Sequence, residues 1–359
     1  MKRAIALVAL ASAALAIGCG GSSDEFKNGL AAGERAKSSG RYDEAAAAYG
    51  EAATKAKRER DQDEARYRQA SALQEAGRVP EALAAYEALA AKGGERSARA
   101  AFDEGFLQID RGDAAKGWAQ IEAAIWAHSN SGAARRGLQK WLAHLDEQKP
   151  GAGLAWLQQN QAKLLKTELG EDTLYRTAKA IEAMGDKTEA REAYIRCALA
   201  YPYPQGSLAD DSYWNASLLD EQLGHPEEAI KDLRRMVERR ESSTLGQGSY
   251  ERPRYSEAQF RVAELYRDQL KDPAQARREF RKLYDGFPHA NKRAEALWNE
   301  GLLAHKAGDS AATCEVAELL TKNLSESRYA ACVAALCPSA KPPEKATACR
   351  DYVRATITP

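Results

Sequence analysis

Four cysteines near the C-terminus are the residues whose type and spacing could most readily carry redox or metal chemistry. Cys314, Cys332, Cys337 and Cys349 are separated by 18, 5 and 12 residues. Structural zinc sites typically use a closely spaced CxxC pair, and these intervals contain none, so the spacing favours disulfide bonds over the alternative of zinc. A helical hairpin over 311–336 would bring Cys314 near Cys332 or Cys337. Four cysteines allow three pairings, and we predict Cys314–Cys332 and Cys337–Cys349.

The other residues that could do chemistry form no catalytic pattern. The sequence contains no GxxxxGK[ST] phosphate loop, no HExxH zinc motif and no GxSxG nucleophile elbow. Carboxylate pairs such as Glu227-Glu228 lie in first turns of predicted helices, where the helix macrodipole already accounts for them. We therefore expect a protein that is not an enzyme and that uses no cofactor and no metal. The five histidines are scattered, at His128, His144, His225, His289 and His305.

The charge balance argues against nucleic acid as a partner. Lys+Arg and Asp+Glu each number 52, so the formal net charge is zero. Binding to a phosphate backbone needs an excess of basic residues on the binding domain. We therefore expect partners other than nucleic acid.

The N-terminus has the pattern of an export signal. Lys2 and Arg3 precede the uncharged apolar stretch 4–17, and the tetrad Ala-Ile-Gly-Cys then ends at Cys19. This tetrad resembles a bacterial lipobox, which implies cleavage after residue 18, lipidation of Cys19 and periplasmic export, where disulfides can form. The glycine after Cys19 resembles enterobacterial lipoproteins of the outer membrane, and 20–25 would be a flexible tether. The alternative is a buried helix, since about 14 apolar residues are too few to span a bilayer.

Small residues recur through the mature chain at intervals of 35 to 47 residues. A bulky residue usually follows each small residue four positions later, and a glycine usually precedes it by five, where it could end a helix in the left-handed conformation. Asp113, Asp186 and Asp309 follow three of these glycines and are predicted N-caps of the next helix. The small residues are Ala45, Ala82, Gly117, Gly153, Ala190, Ala229, Ala276 and Thr313.

The stretch Leu174–Pro202, LYRTAKAIEAMGDKTEAREAYIRCALAYP, resembles one tetratricopeptide repeat. Ala178 and Ala190 would let two antiparallel helices approach closely, with Tyr194 in the wedge between them. The resemblance implies an all-α fold, a right-handed solenoid of about eight helical hairpins with a concave groove. It also implies protein binding as the mode of action.

The repeat pattern divides the mature chain into three parts. We predict an N-terminal repeat array over 26–240, a loop or hinge over 241–254 that is rich in Ser and Gly, and a C-terminal repeat module over 255–338. A linker containing prolines and a short tail occupy 339–359. The C-terminal module resembles periplasmic repeat proteins associated with the Tol–Pal system, and the tetratricopeptide-repeat lipoprotein of the β-barrel assembly machinery.

One position of the first helices is aromatic in six units, and we call these six residues the aromatic column. In the family this position faces the groove, so the column is a candidate binding site for apolar anchors of a partner. The alternative is that the rings only brace neighbouring helices. Five of the six residues three positions earlier are acidic, which would give the groove a negative rim or would simply complement the helix dipoles. The column is Tyr67, Phe102, Tyr175, Trp214, Phe260 and Trp298.

These observations predict a scaffold lipoprotein that binds a protein or peptide of the bacterial cell envelope through its groove. It would be held on the periplasmic side of the outer membrane by its lipid. Two alternatives remain open: a structural subunit of an outer-membrane complex that binds by its edges, and a regulator that binds cell-wall glycan or an acyl chain.

Overall fold

A computed structural model describes residues 21–238, 243–245, 248–250, 253–345 and 348–357, without the side chains of 243–250 and 253. Most of these residues are helical. The helices are α1 (Asp24–Ser38), α2 (Tyr42–Lys55), α3 (Glu59–Glu75), α4 (Val79–Ala90), α5 (Glu95–Asp110), α6 (Ala114–Ala127), α7 (Gly132–Gln148), α8 (Ala152–Leu164), α9 (Gly170–Ala183), α10 (Lys187–Ala200), α11 (Ala209–Leu223), α12 (Pro226–Glu238), α13 (Pro253–Asp268), α14 (Pro273–Gly286), α15 (Arg293–Lys306), α16 (Ser310–Asn323), α17 (Val333–Leu336) and α18 (Asp351–Arg354), with a 3-10 turn at Ala330–Cys332.

The helices follow one another as hairpins in two compact units, 1–141 and 142–359. In the first unit, each helix from α1 to α5 packs against the helix that follows it in the chain. In the second unit the same is true from α8 to α16. The prediction of an all-α fold built from about eight consecutive hairpins is therefore confirmed within the described residues. The division of the repeats at 241–254 stays a prediction.

The turns between paired helices use the left-handed conformation. The glycines five positions before the small residues all have positive φ, from 71° to 92°, a region that other residues enter at a cost. They are Gly40, Gly77, Gly112, Gly185, Gly224 and Gly308. In the unit around Ala276, Lys271 takes this position with φ 52°. The predicted N-caps are confirmed as well, because the Asp186 carboxylate accepts a hydrogen bond from the Glu189 amide at 2.9 Å. Asp113 and Asp309 cap α6 and α16 in the same way.

Small residues and tyrosine wedges set the spacing inside each hairpin. In the second unit, Ala178, Ala190 and Tyr194 are fully buried, and the Tyr194 hydroxyl donates to the Glu182 carboxylate at 2.7 Å. In the first unit, a Cβ added at Gly117 would lie 2.5 Å from the Gly105 carbonyl oxygen. The backbones of α5 and α6 are therefore close enough that only glycine fits there.

The segment between α12 and α13 contains two short antiparallel strands. β1 (Ser243–Leu245) pairs with β2 (Gly248–Tyr250), with Thr244 opposite Ser249. The hairpin lies inside the stretch 241–254 that was predicted as a loop. It lies between α12 and α13 in the chain.

The C-terminal cysteines form two disulfides, but not in the predicted pairs. Cys314 bonds to Cys337 and Cys332 bonds to Cys349, with Cα–Cα distances of 5.2 and 4.7 Å. The prediction was wrong because the return from α16 starts with the non-helical stretch 324–329. Cys337, which directly follows α17, is therefore the residue that lies beside Cys314 in the second turn of α16. Cys332 lies five residues earlier and is left to bond with the tail.

Candidate functional site

The aromatic column occupies equivalent positions on the first helix of six hairpins. Its members lie on α3, α5, α9, α11, α13 and α15. Tyr67, Tyr175 and Trp214 are half-buried, whereas Phe102, Phe260 and Trp298 are 2 to 5 percent exposed. The buried members pack mainly inside the protein, and the half-buried members have part of their surface in solvent.

An aromatic wedge from the second helix braces the column in three hairpins. The ring centroids of Tyr175 and Tyr194 are 5.6 Å apart, and those of Phe260 and Phe280 are 5.2 Å apart, both in edge-on arrangements. Tyr67 and Tyr86 make a looser contact at 6.2 Å. Such pairs contribute about 0.5–1.5 kcal/mol beyond their buried area, so bracing is part of what the column does.

A cation from the next hairpin covers three of the column rings, and we call these residues the covering cations. Arg96 lies 5.4 Å from the centroid of Tyr67. Arg254 lies 5.7 Å from that of Trp214, and the Lys292 ammonium lies 4.8 Å from that of Phe260. Each distance is within the range of a cation–π interaction. These three rings therefore have one side against the core and another side against a charged group.

Acidic residues three positions before members of the column pair with all three of these cations. Arg96 bonds to Glu64 and Arg254 bonds to Asp211, in each case an acid of the preceding hairpin. Lys292 pairs with Glu295 of its own helix at 3.1 Å. At the first two positions the acid, the ring and the cation together link successive hairpins.

The C-terminal tail covers Trp298, the last member of the column. The Trp298 Nε1 donates a hydrogen bond to the Thr356 hydroxyl at 2.9 Å, and its ring stacks on Tyr329 with centroids 5.5 Å apart. The Cys332–Cys349 disulfide ties this tail to the end of the last hairpin. Trp298 is therefore a contact of the protein with its own tail.

Tyr67 and Phe102 line one cavity of the first unit, which we call the Phe102 cavity. Its volume is about 350 Å³, and it lies between α3, α5 and the first turns of α7. The Tyr67 hydroxyl donates to the Asp103 carboxylate at 2.6 Å, and burial together with this hydrogen bond raises the pKa of Tyr67. The other lining residues are Glu95, Arg99, Phe106, Gly132, Ala133, Arg136 and Gly137.

The absence of a side chain at Gly137 lets the Phe102 ring pack against the backbone of α7. A Cβ added to Gly137 would lie 2.1 Å from the nearest atom of the Phe102 ring. The backbone of α7 therefore packs directly on the ring, and α7 contributes one wall of the cavity. Volumes of about 300–1,000 Å³ are typical of ligand clefts, so the cavity is large enough to receive side chains of a partner.

The remaining predicted sites stand as follows. Cys19 lies outside the described residues, so the lipidation site stays a prediction. Among the described residues, no group of three or more His, Cys, Asp or Glu side chains is arranged to hold a metal ion. Within the described residues the free cysteine is Cys197, which is buried, and burial raises its pKa to about 12. No helix in the described part of the chain is long and apolar enough to cross a membrane.

The covering cations were missed by sequence reasoning, although a signal for them exists. Arg96, Arg254 and Lys292 each lie six residues before a member of the column, at the start of a first helix. Alignment of the hairpins on the column would have shown a basic residue at this position in three units. That each basic residue lies over the column ring of the preceding hairpin depends on how the hairpins stack, which the sequence does not show.

A family model and solved structures show what the chain is similar to. The model of the tetratricopeptide repeat matches residues 64–92, 172–202 and 257–290. PilF of Pseudomonas aeruginosa is 16% identical, covering 64% of this chain and 93% of that chain with a TM-score of 0.36. The C-terminal part of a tetratricopeptide-repeat protein of Cytophaga hutchinsonii is 12% identical. The match covers 76% of this chain and 98% of that chain, with a TM-score of 0.42. The TPR2AB domain of yeast Sti1, solved as a complex with pHSP90, is 16% identical, covering 82% and 96%, TM-score 0.28. No curated protein matches the chain.

Proposed function

Because this chain contains tetratricopeptide repeats, which present stacked helix faces to other proteins, we propose that it is a lipid-anchored scaffold of the bacterial cell envelope. In this proposal it binds a segment of a protein partner on the face that α3, α5 and α7 form in the first unit. The fold supports protein binding as the general role, and the position of the site rests on one observation. Tyr67 and Phe102, the column residues of two successive hairpins, open onto the same cavity.

The physical basis of binding is a preformed apolar wall. Phe102 is held by α7, and Tyr67 is held by its hydrogen bond to Asp103. Because neither ring has to be ordered when a partner docks, less entropy is lost on binding. A partner segment with an apolar side chain can use the half-buried Phe106 as its contact surface, with Phe102 buried behind it.

Photocrosslinking in cells tests the position of the site. A photoreactive phenylalanine at Phe106, in the cavity, is expected to crosslink to one discrete protein. The same residue at Tyr352, which is 52% exposed in the tail, serves as the control and is expected to give no such product. Equal products from both positions, or none from Phe106, would contradict a binding site in the first unit.

The second candidate, binding by the edges, has one observation in its favour. In the second unit, Trp214 and Phe260 are covered by cations and Trp298 is covered by the tail. Crosslinks from Tyr352 alone would support this candidate. Binding of cell-wall glycan or an acyl chain stays an untested alternative.

The membrane anchor has a separate test. In a Cys19→Ser variant the lipidated thiol is gone, so we expect the protein to move from the membrane fraction to the soluble periplasmic fraction and to lose labelling by a fatty-acid probe. Stable attachment needs more than one acyl chain or a second signal, and removal of the lipidation site removes the acyl chains together. A Cys19→Ser protein that still sediments with membranes would overturn the anchor.

A further inference from the structure

The Phe102 cavity occupies the place where another hairpin has a covering cation. In the step from α3 to α5, Arg96 fills the space beside Tyr67 and bonds to Glu64. In the step from α5 to α7, the column position on α7 is occupied by Leu138 instead of an aromatic residue. The residue six positions earlier, equivalent to Arg96, is Gly132. Glycine has no side chain, so nothing from position 132 fills this space. The Glu95 carboxylate faces it, with one oxygen 3.8 Å from where a Cβ on Gly132 would lie.

The charge at this step is also reversed. The residue equivalent to Glu64, three positions before the ring, is Arg99. Where α3 presents an acid that holds a cation, α5 presents a cation. At this position, therefore, the complementary group for the α5 side chain is an anion.

The two arginines of the cavity are weakly paired within the protein. Arg99 lies 3.5 Å from Glu95, one helical turn away, and both side chains are 50% exposed. Arg136 is 69% exposed and lies 3.8 Å from Asp103, beyond hydrogen-bond distance. Exposed pairs of this kind contribute only about 0.2–1 kcal/mol, so an incoming carboxylate can replace them.

Two carboxylates also line the cavity, but their contacts reduce their effect on an incoming anion. Asp103 accepts the hydrogen bond of the Tyr67 hydroxyl at 2.6 Å. Glu95 is the first residue of α5, where the positive end of the helix dipole favours it. The guanidinium of Arg136 also lies 5.4 Å from the centroid of Phe106, so one cation and one apolar surface are presented together.

We propose that the Phe102 cavity selects an acidic partner segment, in which a Glu or Asp side chain reaches Arg99 and Arg136 while a neighbouring apolar side chain packs on Phe106. This inference rests on the proposed function, since it names the chemistry of the segment that the same face binds. In the preceding pair of hairpins the protein's own Arg96 occupies the equivalent space and bonds to Glu64. In the Phe102 cavity a carboxylate of the partner would occupy that space instead. A free C-terminus is not required, because an internal carboxylate has the same chemistry.

Fluorescence anisotropy with three labelled peptides tests the proposal on the full-length chain. The peptides alternate Leu with Glu, with Gln or with Lys, and their ends are acetylated and amidated so that only side chains carry charge. We expect the Glu peptide to bind at least about tenfold more tightly than the Gln peptide, the Lys peptide to bind most weakly, and the preference to shrink as salt screens the charges.

Charge-changing variants locate the preference. Arg99→Glu and Arg136→Glu should each remove the preference for the Glu peptide, and Gly132→Lys should fill the cavity and weaken all three peptides. Lys140→Glu is the matched control, since it makes the same charge change at an exposed position of α7 outside the cavity, and it should keep the preference. Circular dichroism of each variant checks that it is folded.

The outcomes separate the inference from the proposed function. If the Glu, Gln and Lys peptides bind equally and Gly132→Lys weakens all of them, the face binds peptides but the charge selection is wrong. A preference for Glu that survives Arg99→Glu and Arg136→Glu also overturns the inference. If no peptide binds and Phe106 gives no crosslink in cells, the proposed function itself fails.

Discussion

Substitution of Arg191 should destabilise the second unit by an amount that depends on pH. The Arg191 Nε lies 3.1 Å from both carboxylate oxygens of Asp220, and its Nη2 lies 3.1 Å from Asp232. The two carboxylate side chains are only 3% and 0% exposed. Removal of one partner of a buried ion pair typically costs about 3–5 kcal/mol, and we expect Arg191→Met to cost this much at pH 8.

The sign of the pH effect follows from the buried carboxylates. Burial raises the pKa of Asp232 to about 6, and it raises that of Asp220, although Arg191 opposes both shifts. An acid whose pKa is higher in the folded state than in the unfolded state makes the protein less stable as pH rises through that interval. Without Arg191 the pKa of Asp232 rises further, so the extra destabilisation is present at pH 8 and is lost as the pH falls toward 6.

The magnitude can be worked from the same contacts. A neighbouring cation lowers the pKa of an Asp by about 1–3 units, and each unit corresponds to about 1.36 kcal/mol. The cost of Arg191→Met should therefore be smaller at pH 5 than at pH 8 by at least about 1.4 kcal/mol. Comparison of variant with wild type at each pH cancels the titration of the other groups.

Urea unfolding followed by circular dichroism at both pH values measures this difference, with the disulfides kept intact. Arg196→Met on the same helix is the matched control, since its pair with Glu192 is 3.8 Å long and both side chains are more than half exposed. It should change the free energy of unfolding by less than about 0.5 kcal/mol at either pH. Equal costs of Arg191→Met at pH 5 and pH 8 would refute the assignment of buried, proton-binding carboxylates.

Three further predictions test the helix packing and the disulfide bonds. Gly185→Ala should reduce the free energy of unfolding by about 1–2 kcal/mol and lower the melting temperature, because φ is 92° at this position. A variant as stable as wild type would contradict this. Tyr194→Phe should cost about 1 kcal/mol through loss of the hydroxyl bond to exposed Glu182, whereas Tyr194→Ala should cost about 3–5 kcal/mol; denaturant midpoints distinguish the two. Non-reducing peptide mapping should find Cys314 with Cys337, and replacement of both by Ser should cost about 2–4 kcal/mol; a Cys314–Cys332 peptide would show the pairing to be different.

The helices and their turns were predictable because they depend on residues close together in the sequence. Gly185 ends α9, Asp186 caps α10, and Tyr194 fills the wedge between them, all within one hairpin. A small residue at Ala190 and a bulky one four positions later report the packing of a single helix pair. Repetition of this local pattern was enough to predict the fold class.

The disulfide pairing and the covering cations were not predictable, since each depends on how separate segments are placed. The pairing of Cys314 depends on the length of the non-helical return after α16, which the sequence pattern did not define. Arg96 covers a ring that lies 29 residues earlier in the chain, on another hairpin. Lys271 shows a third limit, because a turn that usually takes glycine was built here with a lysine at φ 52°.

The tail that lies over Trp298 gives the second unit a defined end. A stack of helical hairpins could in principle accept one more hairpin on its last apolar surface, either from its own chain or from another copy. Here Tyr329, Val333, Leu336 and Val353 already occupy that surface, and two covalent bonds hold them there. The two disulfides therefore hold the tail where a further hairpin would stack, and such stacking would first require removal of the tail.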